Sequence, residues 1–239
     1  MPERPSHSST LLDAASVAPE VFELRPDYRA LLIVAEGLLP APSNEISDAL
    51  VVEAEARAQK LLDAASVEDL PHVAAWRDAY RAFGAKPQRT RNSLESLLRR
   101  AVSGLPRVNA LTDLYNAVSV LHQVPIGGED LDRYQGAPRL IRATGKEPFD
   151  TIAGGESVLE HPESGEVVWC DEAGVTCRRW NWRQGTRTGL NDGTTTAVFI
   201  LDALAPMSDG ALHAAADHLA EALRPLGPDV SIAKRMIAR

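Results

Sequence analysis

Aromatic side chains are scarce in this chain. Four Trp, four Tyr and four Phe make up 5% of its 239 residues, so Leu, Val and Ala must build most of any core. At 44% hydrophobic the chain can still fill one large domain or two small ones. Cysteine is nearly absent. A hairpin around Asp171-Glu172-Ala173-Gly174 would pair Cys170 with Val175 and Cys177 with Val168. The two thiols are then not opposite each other, which argues against a disulfide and for a reducing, cytoplasmic compartment. Two cysteines with no nearby His pair give no zinc-site spacing, and neither a metal nor a cofactor is expected. Long apolar runs are missing too. Ala30–Ala35 is far too short to span a bilayer, so no membrane partner is expected. Residues 1–10 lack a basic region followed by an apolar stretch. Residues 1–19 read as a flexible tail and not a signal peptide, and 20–239 as a single domain.

Several catalytic signatures are also absent: no G-x-S-x-G elbow, no Walker loop, no H-E-x-x-H. Gly154-Gly155 lacks the dinucleotide-binding pattern. The six His, at 7, 72, 122, 161, 213 and 218, are scattered. If the chain is an enzyme it has no obvious dedicated nucleophile, which favours attack by water.

What is present begins with charge. A net charge of −8 argues against indiscriminate nucleic-acid binding, and DNA is not an expected partner. Between Trp76 and Arg107, however, eight basic residues face only Asp78 and Glu95. That stretch is locally +6 on a remainder of −14. Arg178, Arg179, Arg183 and Arg187 form a second basic cluster. Two such patches on an acidic chain fit contact with a defined phosphate-bearing ligand, although for any single Arg a solvated helix face is the favoured reading.

The second cluster lies in the most informative segment, Val175 to Thr188. It gathers Trp180 and Trp182 with four Arg, Asn181, Gln184 and three Thr. Its first half, Val175 to Trp182, alternates like a strand. A core strand has no need of guanidinium and amide groups. A recognition surface does, because Arg forks bind phosphate and stack on planar groups, and Trp offers a broad flat face. The alternative is an edge strand whose charges deter aggregation.

Strands are expected at Val21–Leu24, Arg29–Val34, Leu140–Arg142, Glu166–Cys170, Val175–Trp182, Thr194–Leu201 and Val230–Ala233. Helices are expected from a Ser43 cap to about Leu62, over Val73–Phe83, over Leu94–Val102 behind Asn92 or Ser93, over Val108–His122, and from a Ser208 cap to Leu223. Ile126-Gly127-Gly128 reads as a loop. The order of elements predicts an α+β fold with mixed and antiparallel sheets. On the helix Val108–His122, an apolar stripe of Val108, Leu111, Tyr115, Val118 and His122 runs beside a polar one of Asn109, Thr112, Asp113, Asn116 and Ser119. Short polar residues are poor mid-helix formers, so the polar stripe suggests a pocket wall or packing against a loop.

The segment Leu105-Pro106-Arg107-Val108-Asn109-Ala110-Leu111-Thr112-Asp113-Leu114-Tyr115-Asn116-Ala117-Val118, followed by Pro125, resembles the B3/B4 domain of the bacterial phenylalanyl-tRNA synthetase β chain. There the corresponding stretch reads N-x-V-V-D-x-T-N-Y-V, then G-Q-P-x-H-A-F-D. The likeness continues through Arg139–Ala143, Gly154-Gly155 and Thr188–Leu201. Arg81–Pro87, Ser93–Arg100 and Cys177–Gln184 look more like free-standing B3/B4 proteins. The resemblance spans about Trp76 to Leu204 and implies a B3/B4-like α+β fold. In the synthetase this domain hydrolyses the ester of tyrosine wrongly attached to phenylalanine tRNA. The resemblance therefore implies deacylation of a mischarged tRNA in trans. Asn116 matches an editing-pocket Asn and would be catalytic together with Thr186. Asn109, Gly127, Gln184, Gly185, Thr188, Trp180 and Trp182 would meet the substrate, the two Trp by stacking on the terminal adenosine or, the favoured role for a Trp, by packing the pocket wall. Arg89, Arg91, Arg99, Arg100 and Arg183 would meet the tRNA. Two departures matter. The family's His falls on Gly127, and the Gly-Gly-Glu that recognises the tyrosine hydroxyl falls on Gln184-Gly185-Thr186. Without that carboxylate the preference for tyrosine should not carry over. The expected partners are an aminoacylated tRNA or, if the module binds without chemistry, tRNA or a free amino acid.

Overall fold

A computed structural model describes residues 7–239. In chain order the elements are α1 (His7–Ala14), β1 (Ser16–Val17), α2 (Pro19–Leu24), β2 (Arg29–Glu36), α3 (Glu45–Ala64), α4 (Pro71–Ala82), α5 (Ser93–Ala101), α6 (Ala110–His122), β3 (Ile126–Asp130), β4 (Arg139–Arg142), β5 (Phe149–Ala153), β6 (Glu156–Glu160), β7 (Val167–Cys170), β8 (Val175–Arg178), β9 (Arg183–Gln184), β10 (Thr196–Ala203), α7 (Asp209–Leu223) and β11 (Ser231–Ile237).

The unbroken apolar run of β2 buries both of its faces, and this sets the layers. Ala30, Leu32 and Val34 join one core with Val198 and Ile200 of β10, while Leu31, Ile33 and Ala35 join another with Phe199 and Leu201. Period-two alternation thus divides each central strand between two cores. β2 and β10 pair in register from Arg29↔Ala203 to Glu36↔Thr196, and β11 and β3 flank them in an antiparallel sheet of order β11-β2-β10-β3. On one face α6 and α7 supply Tyr115, Val118, Leu212 and Leu219. On the other lies a second sheet, β1-β4-β7-β8-β9, with Leu140, Val167, Trp169 and Cys177 turned inward beside Trp76 and Tyr80 of α4. Its β1–β4 pair is parallel and its other pairs are antiparallel. A third apolar cluster joins α3, α4, α5 and α6 through Val51, Val73, Leu94 and Val120. The expected α+β class with mixed and antiparallel sheets is what the chain adopts.

Several local expectations change. Of the expected flexible tail, residues 1–6 lie outside the described residues. Residues 7–14 form α1, whose Leu11 and Leu12 enter the core. Val21–Leu24 is not a strand but part of α2, because Pro19 opens a helix there and Val21 packs inward. Asn44, not Ser43, caps α3 in a reciprocal box with Ser47, and Ser43 instead donates to Asp113 Oδ2 at 2.5 Å. Ile126-Gly127-Gly128 is strand β3, because β10 supplies its hydrogen-bonding partner. The strand expected over Val175–Trp182 stops at Arg178. Arg179 and Trp180 take left-handed backbone, φ 48° and 68°, which turns the Trp180 ring into the core. The hairpin β5–β6 was not expected. Cys170 does face Val175, but a bulge beside it places Trp169, not Val168, opposite Cys177, and both thiols are free and buried.

Candidate functional site

A cavity of about 230 Å3 opens where α5 and α6 meet the ends of both sheets. Asn116 of α6, Gly127 of β3, Gln184 of β9, Trp180 and Trp182, named separately along the chain, are all on its walls. Gly127 matters by its missing side chain: a Cβ there would lie 3.2 Å from Gln184 Nε2. At Gly128 a Cβ would come within 3.0 Å of both Phe199 and Tyr115, so the tight β3–β10–α6 junction needs glycine. Gln184 Nε2 donates to the Gly128 carbonyl at 2.9 Å, which fixes the amide across the mouth of β3. Asn116 is half-buried and its amide makes no hydrogen bond among the described residues, so it is available to a ligand.

Trp180 is fully buried and edge-packs against Trp76, with centroids 5.2 Å apart, and Tyr28 at 5.0 Å. Its role is to form core and cavity floor, not to stack on an exposed base. Trp182 is half-buried, with the Arg179 and Arg183 guanidinium groups 4.6 and 4.9 Å from its ring centroid.

Two carboxylates that sequence reasoning did not name line the same cavity. Glu129 of β3 is 2% exposed, and its Oε2 accepts from Tyr134 at 2.6 Å and Thr188 at 2.9 Å. Burial pushes its pKa up, against the lowering effect of these donors. Asp202 of β10 is equally buried. It accepts from Tyr28 at 2.5 Å and from Asn181 at 3.2 Å, and burial raises it to about 7. Tyr80 donates to Asn181 Oδ1 at 3.0 Å and completes the chain of polar contacts beneath the cavity. The signal for Asp202 was present in the sequence: an ionisable group closing an otherwise apolar strand. Glu129 gave none, because its strand offers one apolar residue, Ile126, before two glycines.

Other expected substrate contacts lie elsewhere. Thr186 is exposed on a neighbouring groove that shares only Tyr115 and Gln184 with the cavity, and its N–H donates to the Asp150 carbonyl. Gly185 lines the same groove, tied by its N–H to the Thr176 carbonyl. Asn109 caps α6, accepting from the Thr112 N–H at 2.8 Å. Thr188 is buried behind the wall as a donor to Glu129. The polar stripe of α6 divides in the same way. Asp113 binds Ser43 and the Val108 N–H, and Ser119 binds the Val124 carbonyl, which leaves Asn116 facing the cavity. Val108 precedes the helix and is exposed.

The arginines divide too. Glu95, fully buried, accepts from Arg77 at 2.8 Å and Arg99 at 3.1 Å, with Arg91 at 3.6 Å. Arg99 also pairs with Glu68. Arg183 is held by Glu160 at 2.6 Å. Arg89 is exposed at a second cavity of about 330 Å3, with Lys86 and Arg179. Arg100 is exposed and forms no ion pair among the described residues. It lies on the α5 stripe of Ser93, Ser96 and Leu97, which line the cavity. His72 is structural: its Nε2 accepts from the Leu204 N–H, so Nδ1 donates to the Gln123 carbonyl. His122 pairs with His218 at 2.9 Å, away from the cavity lining. Among the described residues no cluster of His, Cys, Asp and Glu could hold a metal, and no helix is long and apolar enough to cross a membrane.

Comparison with known proteins returns no curated relative. Among solved structures, an N-terminal fragment of the phenylalanyl-tRNA synthetase β-subunit from Pyrococcus horikoshii is similar at 12% identity and a TM-score of 0.47. That similarity covers 95% of this chain but 54% of the fragment, so the chain spans about half the fragment's length. The sequence profile of the B3/4 domain matches residues 75–223, which carry α6 and every strand of the cavity wall. With well over half of its length matched, the chain belongs to the B3/4 domain family.

Proposed function

We propose that this chain hydrolyses the ester bond of an aminoacyl-tRNA in trans, with an amino-acid preference different from that of the synthetase domain its sequence resembles. The observation that carries this reading is the cavity bearing Asn116 and Gln184 beside the free Arg100. Pockets for drug-sized ligands measure roughly 300–1,000 Å3, so a cavity of about 230 Å3 suits a smaller ligand, on the scale of one aminoacyl group. The α5 stripe that lines it runs outward to Arg100, where a terminal phosphate could be met. Membership of the B3/4 domain family supports the same reading.

No side chain on the wall is a ready nucleophile. Cys177 is buried, and burial holds its thiol far above its ordinary pKa, so the thiolate is disfavoured. Ser93 has no base within hydrogen-bond reach. Water is therefore the nucleophile. Its oxygen adds to the ester carbonyl, and the Asn116 amide donates to the oxygen on which negative charge develops. Collapse breaks the bond to the terminal ribose oxygen. That oxygen takes up a proton relayed from the water by the neighbouring ribose hydroxyl, releasing free amino acid and uncharged tRNA.

The two buried carboxylates give specific support to a second reading, a module that binds a free amino acid without chemistry. One experiment separates the two: a panel of charged tRNAs incubated with the chain, with released amino acid followed over time. Release proportional to protein concentration is expected for at least one aminoacyl group. Release no faster than in buffer, for every member, would leave the binding reading.

A further inference from the structure

Ester hydrolysis does not by itself require the charge imbalance on the cavity walls. Glu129 and Asp202 line the cavity, and no Lys, Arg or His does. Every side chain that hydrogen-bonds them is neutral: Tyr134 and Thr188 at Glu129, Tyr28 and Asn181 at Asp202. Two interior carboxylates without a cation are costly, and the usual remedies are a proton or a positively charged partner. The rest of the wall suits a cation as well. Tyr115, Trp169 and Trp180 line the space, and aromatic rings attract ammonium groups. The hydrogen bonds from Tyr134 and Thr188 both arrive at Glu129 Oε2, and the other side chains that bear on this carboxyl, Thr176 and Gln184, are neutral as well.

We propose that the cavity is an ammonium site, in which Glu129 and Asp202 together hold the protonated amino group of the ligand against the aromatic wall. This rests on the cavity being the ligand site, but not on hydrolysis taking place there. The amine could be the α-amino group of an aminoacyl ester or free amino acid, or the end of a basic side chain. The elevated carboxyl of Asp202 fits this assignment: burial raises it to about 7, and a proton there relieves the same uncompensated charge that a bound ammonium would.

The test is calorimetric titration of the full chain with amino-acid methyl esters and their N-acetyl counterparts. At least one free-amine ester should bind, and N-acetylation should weaken it by roughly 10²-fold, the scale for losing one partner of a buried charge pair. If Nα-acetyl-lysine methyl ester binds as well as lysine methyl ester, the side-chain amine is the group held. Glu129→Gln keeps an acceptor for Tyr134 and Thr188 but turns an NH2 toward the cavity. It should lose the ester to a similar degree with an unchanged melting curve, and Asp202→Asn should weaken it less. Three results would overturn the proposal: no amine probe binds, N-acetyl esters without a side-chain amine bind as tightly as free esters, or a folded Glu129→Gln binds like the parent. The N-acetyl comparison needs no variant and decides the matter if neither variant folds. Ester binding without tRNA deacylation would keep the ammonium site and remove the hydrolase reading. Equal deacylation of aminoacyl- and N-acetylaminoacyl-tRNA would do the reverse.

Discussion

Two clusters of buried charge in this chain are built on opposite plans. Around Glu95 one carboxylate is met by Arg77 and Arg99, with Arg91 nearby, and the charges are answered inside the fold. Around Glu129 and Asp202 two carboxylates meet only hydroxyl and amide donors, and an open cavity adjoins them. The first cluster stitches α5 to α4. The second leaves charge facing a space where a ligand can enter. The contrast shows that a basic stretch in sequence is no guide to free positive surface, because much of the +6 segment is spent on one internal acid.

The contrast is broken most severely at Glu95. Glu95→Ala leaves Arg77 with 11% of its side chain exposed and no carboxylate partner, and removing one member of a buried pair typically costs about 3–5 kcal/mol. Urea unfolding should show this loss, and a variant as stable as the parent would remove the structural role assigned to the cluster. Charge reversal sharpens the distinction within one helix. Arg100→Glu should weaken tRNA binding and lower the slope of log affinity against log salt by about 1, with little change in melting temperature. Arg99→Glu should lower the melting temperature, since Arg99 bridges Glu68 and Glu95. Equal stability losses in the two variants would erase the distinction.

Asp202 makes a smaller, pH-dependent prediction. Folded, it takes up a proton below about pH 7, whereas its ordinary value is 3.8. The native chain therefore binds more protons between those values, and this group's contribution to stability is present at low pH and lost as pH rises toward 7. His72, held down to about 4 by burial, acts with the opposite sign, so the difference between variant and parent is the quantity to read. Asp202→Asn should gain stability relative to the parent as pH rises through that window. A difference that does not vary with pH would show that Asp202 is not elevated. The smallest effect is expected at Thr186, which is exposed and off the cavity wall: Thr186→Val should leave both deacylation and stability near the parent. A large loss of turnover would bring the neighbouring groove into the site.

The sequence made the central strands and the caps of α5 and α7 legible, because apolar runs and Asn or Ser caps are local signals. It also singled out Asn116, by its place on the polar stripe together with its match to the editing-pocket Asn, although the stripe alone was equally open to a structural amide. The hairpin β5–β6 was hard to read because only Phe149 and Thr151 alternate inward, while the apolar Ile152 and Leu159 point outward, 58% exposed each. How Trp180 reaches the core was not legible, because the left-handed turn at Arg179 cannot be inferred from alternation. Glu129, opposite Val198 in the β3–β10 register, and Asp202, four residues further along β10, line one cavity only through the tertiary fold, a non-local fact. The division of arginines between internal partners and solvent is likewise set by tertiary contacts, not by spacing.

The central claim is that the Asn116 cavity is where an aminoacyl ester is cleaved, and single-turnover deacylation by the parent and Asn116→Ala tests it most directly. With a charged tRNA that the parent hydrolyses, the account predicts a folded variant slowed by up to about 10²–10³-fold, the scale for losing one positioned donor. A folded Asn116→Ala that releases amino acid at the parent's rate would contradict it.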